Sequence, residues 1–180
     1  MTQAPDAPLR KRLSHAEGVR AACILFELNT RESDILEMAE RAGVSPGAVA
    51  PDGEGRPADR AVLLEEWRGF VHAAVTYGLM AEAPNAVVAG YLRATRELLG
   101  RLGHAAERID AFIDDTFAAY IRLMAQNRQK ECPARFYARV LGVEDLSRLP
   151  SERTAFLAGM MAITLCAVLD KFANYEFSAD

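Results

Sequence analysis

The chain has 180 residues, of which 51% are hydrophobic and 26% charged, a balance that excludes wholesale disorder and a fibrous repeat and is sufficient for one domain with a sizeable core. Its formal net charge of -4 gives no field that would draw the whole molecule onto nucleic acid or an anionic membrane. Cys23, Cys132 and Cys166 are odd in number and far apart, so they propose neither a disulfide framework nor a CxxC zinc site, and they fit a reducing cytosol.

Residues 1–8, with Pro5 and Pro8 and few apolar groups, read as a disordered arm, and no apolar run that could serve as a secretory signal precedes Ala21. The expectation is a cytoplasmic protein. Across residues 9–28, Leu13, Ala16, Val19, Cys23 and Phe26 recur at three- and four-residue steps and predict a first helix. Asn29 followed by Glu32 has the pattern of a capping box for a second helix over 30–42, with Ile35, Met38, Ala39 and Ala42 on one face and Gly43 as its stop. Residues 9–43 thus form an N-terminal helical pair.

In residues 44–57 Pro46, Gly47, Pro51, Gly53, Gly55 and Pro57 take six of fourteen places, a density of breakers that predicts a flexible loop. Residues 58–180 should form the main bundle. Leu63, Leu64, Trp67, Val71, Ala74, Val75 and Gly78 trace one face of a long helix over 58–83, and Val88, Tyr91, Leu92, Leu98 and Leu99 trace another over 86–102. A third long helix is expected over 104–130, followed by a short one that begins at Pro133 and ends at Gly142. No strand-like alternation of useful length is visible. The fold class is all-α: a bundle of five or six principal helices, mostly antiparallel, with a hydrophobic C-terminal helix over 151–175.

That last helix is uncharged from Thr154 to Leu169, sixteen residues, short of the twenty or so that a membrane span takes. Ala155, Gly159, Ala162 and Cys166 form a ridge of small residues on it, a candidate interface with a protein partner or a second copy. Phe156, Met160, Ile163 and Ala167, beside Leu157, Met161, Leu165 and Val168, are expected to supply bulk to the core. The helix therefore sits either at the centre of the bundle or at a homo-oligomer interface.

In Asp34–Val49, Ala39, Gly43 and Val44 stand where a helix-turn-helix places its small residue, turn glycine and next apolar residue. With Ala21–Phe26 before it, the stretch over 16–49 resembles the N-terminal DNA-binding domain of TetR-type repressors. The resemblance implies a transcriptional regulator with a recognition helix over 45–51 and with Arg10, Lys11, Arg12 and Arg20 as phosphate contacts. The residues depart from that pattern: Pro51 and Gly53 end the second helix after Ala50, and six acids between Glu32 and Gly55 face one base, Arg41. The recognition helix is degenerate, and nucleic acid is the disfavoured partner.

Glu107, Asp110, Asp114 and Asp115 share a helix face at a spacing suited to a hard cation, and DxxxD resembles the acidic motif of isoprenoid synthases. That resemblance implies a second acidic motif on a facing helix; Asp59, Glu65 and Glu66 are nearest but do not match its spacing, so the acids read as a solvated face. His15, His72 and His104 belong to no ExxH or HxxxH pair, which leaves a metal site unsupported. His104 should be exposed and His72 partly buried against a hydrogen-bonding neighbour. With no GxSxG, GxxxxGK or GxGxxG, catalysis has no local signature and no cofactor is implied.

The leading expectation is a non-catalytic helical protein acting through protein–protein contacts as an adaptor, chaperone-like or regulatory protein. The rivals are the degenerate TetR-like regulator and a helical-bundle enzyme or carrier with an apolar pocket walled by Trp67, Tyr91, Tyr120 and Met160.

Overall fold

Ser14 starts the first long helix with a capping box: its hydroxyl accepts from the Glu17 amide, and the Glu17 carboxylate accepts from the Ser14 amide at 2.9 Å. In the computed structural model, which describes residues 10–101, 103–178 and 180, this helix is α1 (His15–Asn29). The expected arm over 1–8 lies outside the described residues. Then follow α2 (Glu32–Ala42), α3 (Arg60–Glu82), α4 (Asn85–Arg101), α5 (Ala106–Ala111), a π-helical segment (Phe112–Phe117), α6 (Ala118–Ala125), α7 (Cys132–Leu141) and α8 (Ser151–Ala173). The fold is all-α.

Three local expectations need correction. Asn29 does not cap α2: its side-chain amide turns back to the Leu25 carbonyl at 2.8 Å, and α2 starts at an N-cap, Arg31, whose side chain makes no capping bond. Residues 11–13 leave the first helix and form β1 (Lys11–Leu13), which pairs in parallel with β2 (Tyr175–Phe177), so a short two-stranded sheet clips the two ends of the chain together. The third long helix runs without a break from Ala106 to Ala125 but widens at the π-helical segment, whose longer turn shifts the acids from the register that straight-helix spacing assumes.

The core is arranged around α3, whose buried positions run nearly all round the helix: Leu63, Leu64, Trp67, Phe70, Val71, Ala74, Val75 and Leu79 among them. It packs against α1, α4, the π-helical segment, α6, α7 and α8, while α1 lies along α4 and α2 against α8. Close approach explains one glycine: a Cβ on Gly69 would stand 2.5 Å from Thr116 Cγ2, so the π-helical segment reaches α3 only because that position has no side chain. Polar ties fix the helices lengthwise. Trp67 Nε1 donates to the Asn29 carbonyl at 2.9 Å, and the Tyr137 hydroxyl sits 2.9 Å from the Ala42 carbonyl and 3.1 Å from that of Arg153.

Gly43 ends α2 in the left-handed region at φ 72°, and the segment that follows forms turns without a regular element. It is nonetheless stitched to the bundle: Gly47 donates to the Ala58 carbonyl, Arg56 to that of Leu141, and Val44, Ala50 and Ala58 are buried. Arg148 holds Asp52 at 2.6 Å and Glu54 at 2.9 Å.

Candidate functional site

α8 buries only one side. Leu157, Met161, Thr164, Leu165, Val168 and Phe172 face the bundle, whereas Ala155, Ala158, Ala162, Ile163, Cys166 and Ala167 are exposed and Gly159 is half-exposed. Ala155, Gly159, Ala162 and Cys166 therefore lie in one stripe on the outer surface. Ile163 and Ala167, expected to supply core bulk, belong to this outer face too, with Ile163 66% exposed, while Phe156 and Met160 are half-buried at its edge. The reason is rotational: a helix that meets neighbours along one arc has only that arc to bury, whatever the polarity of the rest.

Beside the stripe a shallow groove of about 290 Å³ runs along α8, lined by Phe70, Pro133, Ala158, Met161, Ala162 and Leu165 among others. Small ridge and apolar groove are adjacent, which is the relief that lets helix surfaces interdigitate. By length and composition α8 could also cross a bilayer.

The four residues proposed as pocket walls, Trp67, Tyr91, Tyr120 and Met160, lie on four different helices: α3, α4, α6 and α8. Trp67 packs on Phe70 and Phe136, Tyr120 on Phe70, and Tyr91 on His72, all three being buried. His72 is buried, and its Nδ1 pairs with the Tyr91 hydroxyl at 2.9 Å; burial pulls its pKa down to about 3, so it is neutral in the fold. His15 Nε2 meets the Ala86 carbonyl at 3.0 Å.

Charge enters the interior at Glu66, 1% exposed on α3. Its carboxylate accepts from the Tyr120 hydroxyl at 2.9 Å and from Arg139 Nε at 3.0 Å, with Arg135 at 3.8 Å. Burial pushes its pKa up; the two arginines and the tyrosine pull against that. The network ties α7 to α3 and α6. It could have been suspected from sequence, since Glu66 falls three residues after Leu63 and four before Phe70 on the apolar face.

The acids once grouped as a cation face disperse. Asp110 pairs with Arg96, and Asp115 lies 3.2 Å from Arg139 and 3.6 Å from Arg135. Asp59 caps α3 by accepting from the amides of Ala61 and Val62, and Glu65 accepts from the Thr116 hydroxyl at 3.1 Å. Among the described residues no three His, Cys, Asp or Glu side chains converge in a metal-binding group. Arg10 pairs with Glu82 at 3.3 Å, Lys11 and Arg12 are exposed on the strand that pairs with β2, and Arg20 is exposed on α1. Residues 45–51, where the TetR resemblance places a recognition helix, form turns.

Sequence reasoning missed a second concavity, of about 170 Å³, between α3, the end of α4, α5 and the π-helical segment. Leu64, Leu99, Ile109 and Phe112 floor it; Glu65, Arg68, His104 and Arg108 carry its polar atoms. His104, expected in solvent, is half-buried at this site. Periodicity alone sets Phe112 on the same face as Ile109, but it does not say that this face meets α3 and the end of α4 to form a cavity. Compared with protein-family models, curated proteins and solved structures, the chain matches none.

Proposed function

We propose that this protein acts by binding and without catalysis, as a helical regulatory or adaptor protein whose contact surface is the outer face of α8, and that the surface meets the same face of a second copy. The observation that supports this reading is that stretch of α8: uncharged from Thr154 to Leu169, yet exposed at Ala155, Ala158, Ala162, Ile163, Cys166 and Ala167. Leaving one large aliphatic side chain in water forfeits about 1.5–3 kcal/mol of burial, and contiguous apolar surface of this kind marks a contact site. Small residues along the ridge let a second helix backbone approach, and a two-fold axis would set ridge against groove without opposing like charges.

Light scattering over a concentration series tests it. Gly159→Leu is the informative substitution because a Cβ at Gly159 meets nothing within 4 Å, so the single chain accommodates it. The expected result is a wild-type dimer at about 50 µM protein, in the affinity range of ordinary weak interfaces, and a folded monomer for the variant. A wild-type monomer at that concentration would remove the self-contact. Flotation with lipid vesicles, abolished by Ile163→Arg, would instead assign the face to a bilayer.

A further inference from the structure

The concavity between α3 and α5 has an apolar floor and a cation that no described residue pairs with. Arg68 lines it half-buried and, among the described residues, makes no hydrogen bond or ion pair. The acid whose charge reaches it, Glu32, is engaged by Arg60. Glu65, the one carboxylate in the lining, is held by Arg108 at 3.6 Å and by the Thr116 hydroxyl at 3.1 Å. Two arginines against one carboxylate leave the site with an excess positive charge. Burial also lowers the pKa of Arg68, and the charge of Glu32 pulls against it.

We infer that this concavity is a binding site for a small apolar monocarboxylate, its body on Leu64, Leu99, Ile109 and Phe112 and its carboxylate on Arg68. The volume sets the size: an apolar cavity of about 150 Å³ holds one benzene ring, and this one is about 170 Å³. The charge sets the headgroup, because a planar guanidinium takes a carboxylate through two parallel hydrogen bonds, a geometry neither an alcohol nor an amine reproduces. Architecture adds a third element. Phe112 opens the π-helical segment, a type of helix irregularity that recurs at functional sites, and Thr116 in the same segment immobilises Glu65 so that it does not swing to Arg68. The site lies on α3, α4 and α5, away from the outer face of α8, so it stands or falls independently of the self-contact.

Benzoate, benzyl alcohol and benzylamine share a ring and differ in headgroup, and each is titrated into the full-length chain while amide chemical shifts are followed by NMR. Saturable benzoate binding is expected, with shifts centred on Leu64, Arg68, Ile109 and Phe112 and an affinity at least about tenfold above the alcohol and the amine. Arg68→Gln should lower benzoate to the level of the alcohol and leave the alcohol unchanged. Ala61→Trp, at an exposed lining position, should block all three while circular dichroism reports an intact fold. Equal affinity for the three probes, benzoate binding unaltered by Arg68→Gln, or no saturation by about 10 mM would overturn the assignment.

Discussion

α3 and α8 are the same length, 23 residues each, and they invert the usual relation between polarity and burial. α3 carries Glu65, Glu66, Arg68 and His72, yet fourteen of its residues are buried; α8 is uncharged through its middle, yet only six are. Burial therefore follows position. α3 has helices on nearly every side and must satisfy whatever polar groups it brings inward, which it does through the Glu66 and His72 pairings. Among the described residues α8 has neighbours on one side alone, and none of them covers its apolar outer face.

If that contrast is right, the largest effect comes from disturbing the charge inside α3. Glu66→Gln removes the counter-charge for Arg135 and Arg139 while keeping the side chain's shape, and should cost about 2–3 kcal/mol in urea unfolding, since the shielded Arg135 guanidinium then keeps only the exposed Asp115. No single polar substitution on the outer face of α8 should approach that.

Acid probes the same helix. His72 titrates near 6.5 in the unfolded chain but at about 3 in the fold. Its contribution is intact above pH 6.5; as the pH falls from there toward 3, the unfolded chain gains a proton that the folded chain refuses. Stability should then drop by up to about 1.4 kcal/mol per pH unit from this group, and His72→Gln should flatten the slope in that window relative to wild type.

One substitution made in both helices should give opposite signs. A Cβ on Gly78 of α3 would stand 2.8 Å from a ring carbon of Phe172, so Gly78→Ala forces repacking and should destabilise by about 1–3 kcal/mol. Gly159 of α8 has open space around it, so Gly159→Ala should stabilise the folded chain by about 0.5–1 kcal/mol through helix propensity alone. Thermal melts of the two variants are sufficient; a loss at both positions would mean that α8 is covered from outside.

The smallest effect is expected at Ile163. Replacing it with Gln at a position 66% exposed should change the unfolding free energy of the isolated chain by no more than about 0.5 kcal/mol. Any larger change that depends on protein concentration would point to self-association through this face.

Element by element, the sequence was readable where a local rule decided the outcome. The stripe through Leu63, Trp67, Val71 and Val75 located α3, Gly43 stopped α2, and the run of prolines and glycines after it prevented a regular element. It misled where two local signals competed. Asn29 and Glu32 formed a plausible cap, but Asn29 remains in α1 and bonds backward to Leu25. Residues 11–13 looked like the start of a helix, but Tyr175–Phe177 offered a strand partner at the far end of the chain. The candidate site was half-legible: composition located the small ridge on α8, but no pattern in one sequence revealed the cavity around Arg68, because its walls come from three helices and the first residue of the π-helical segment.

By itself, then, the amino-acid sequence determined the helical content, most helix boundaries and the small-residue ridge, because these depend on side-chain size, periodicity and backbone preference within a few residues. Only the tertiary structure decided which arc of α8 faces water, that Glu66 is buried against two arginines, and that Arg68 stands above an apolar floor with no partner among the described residues. Each of these depends on which distant helices arrive at a given face, and that is settled by the packing of the whole chain at once.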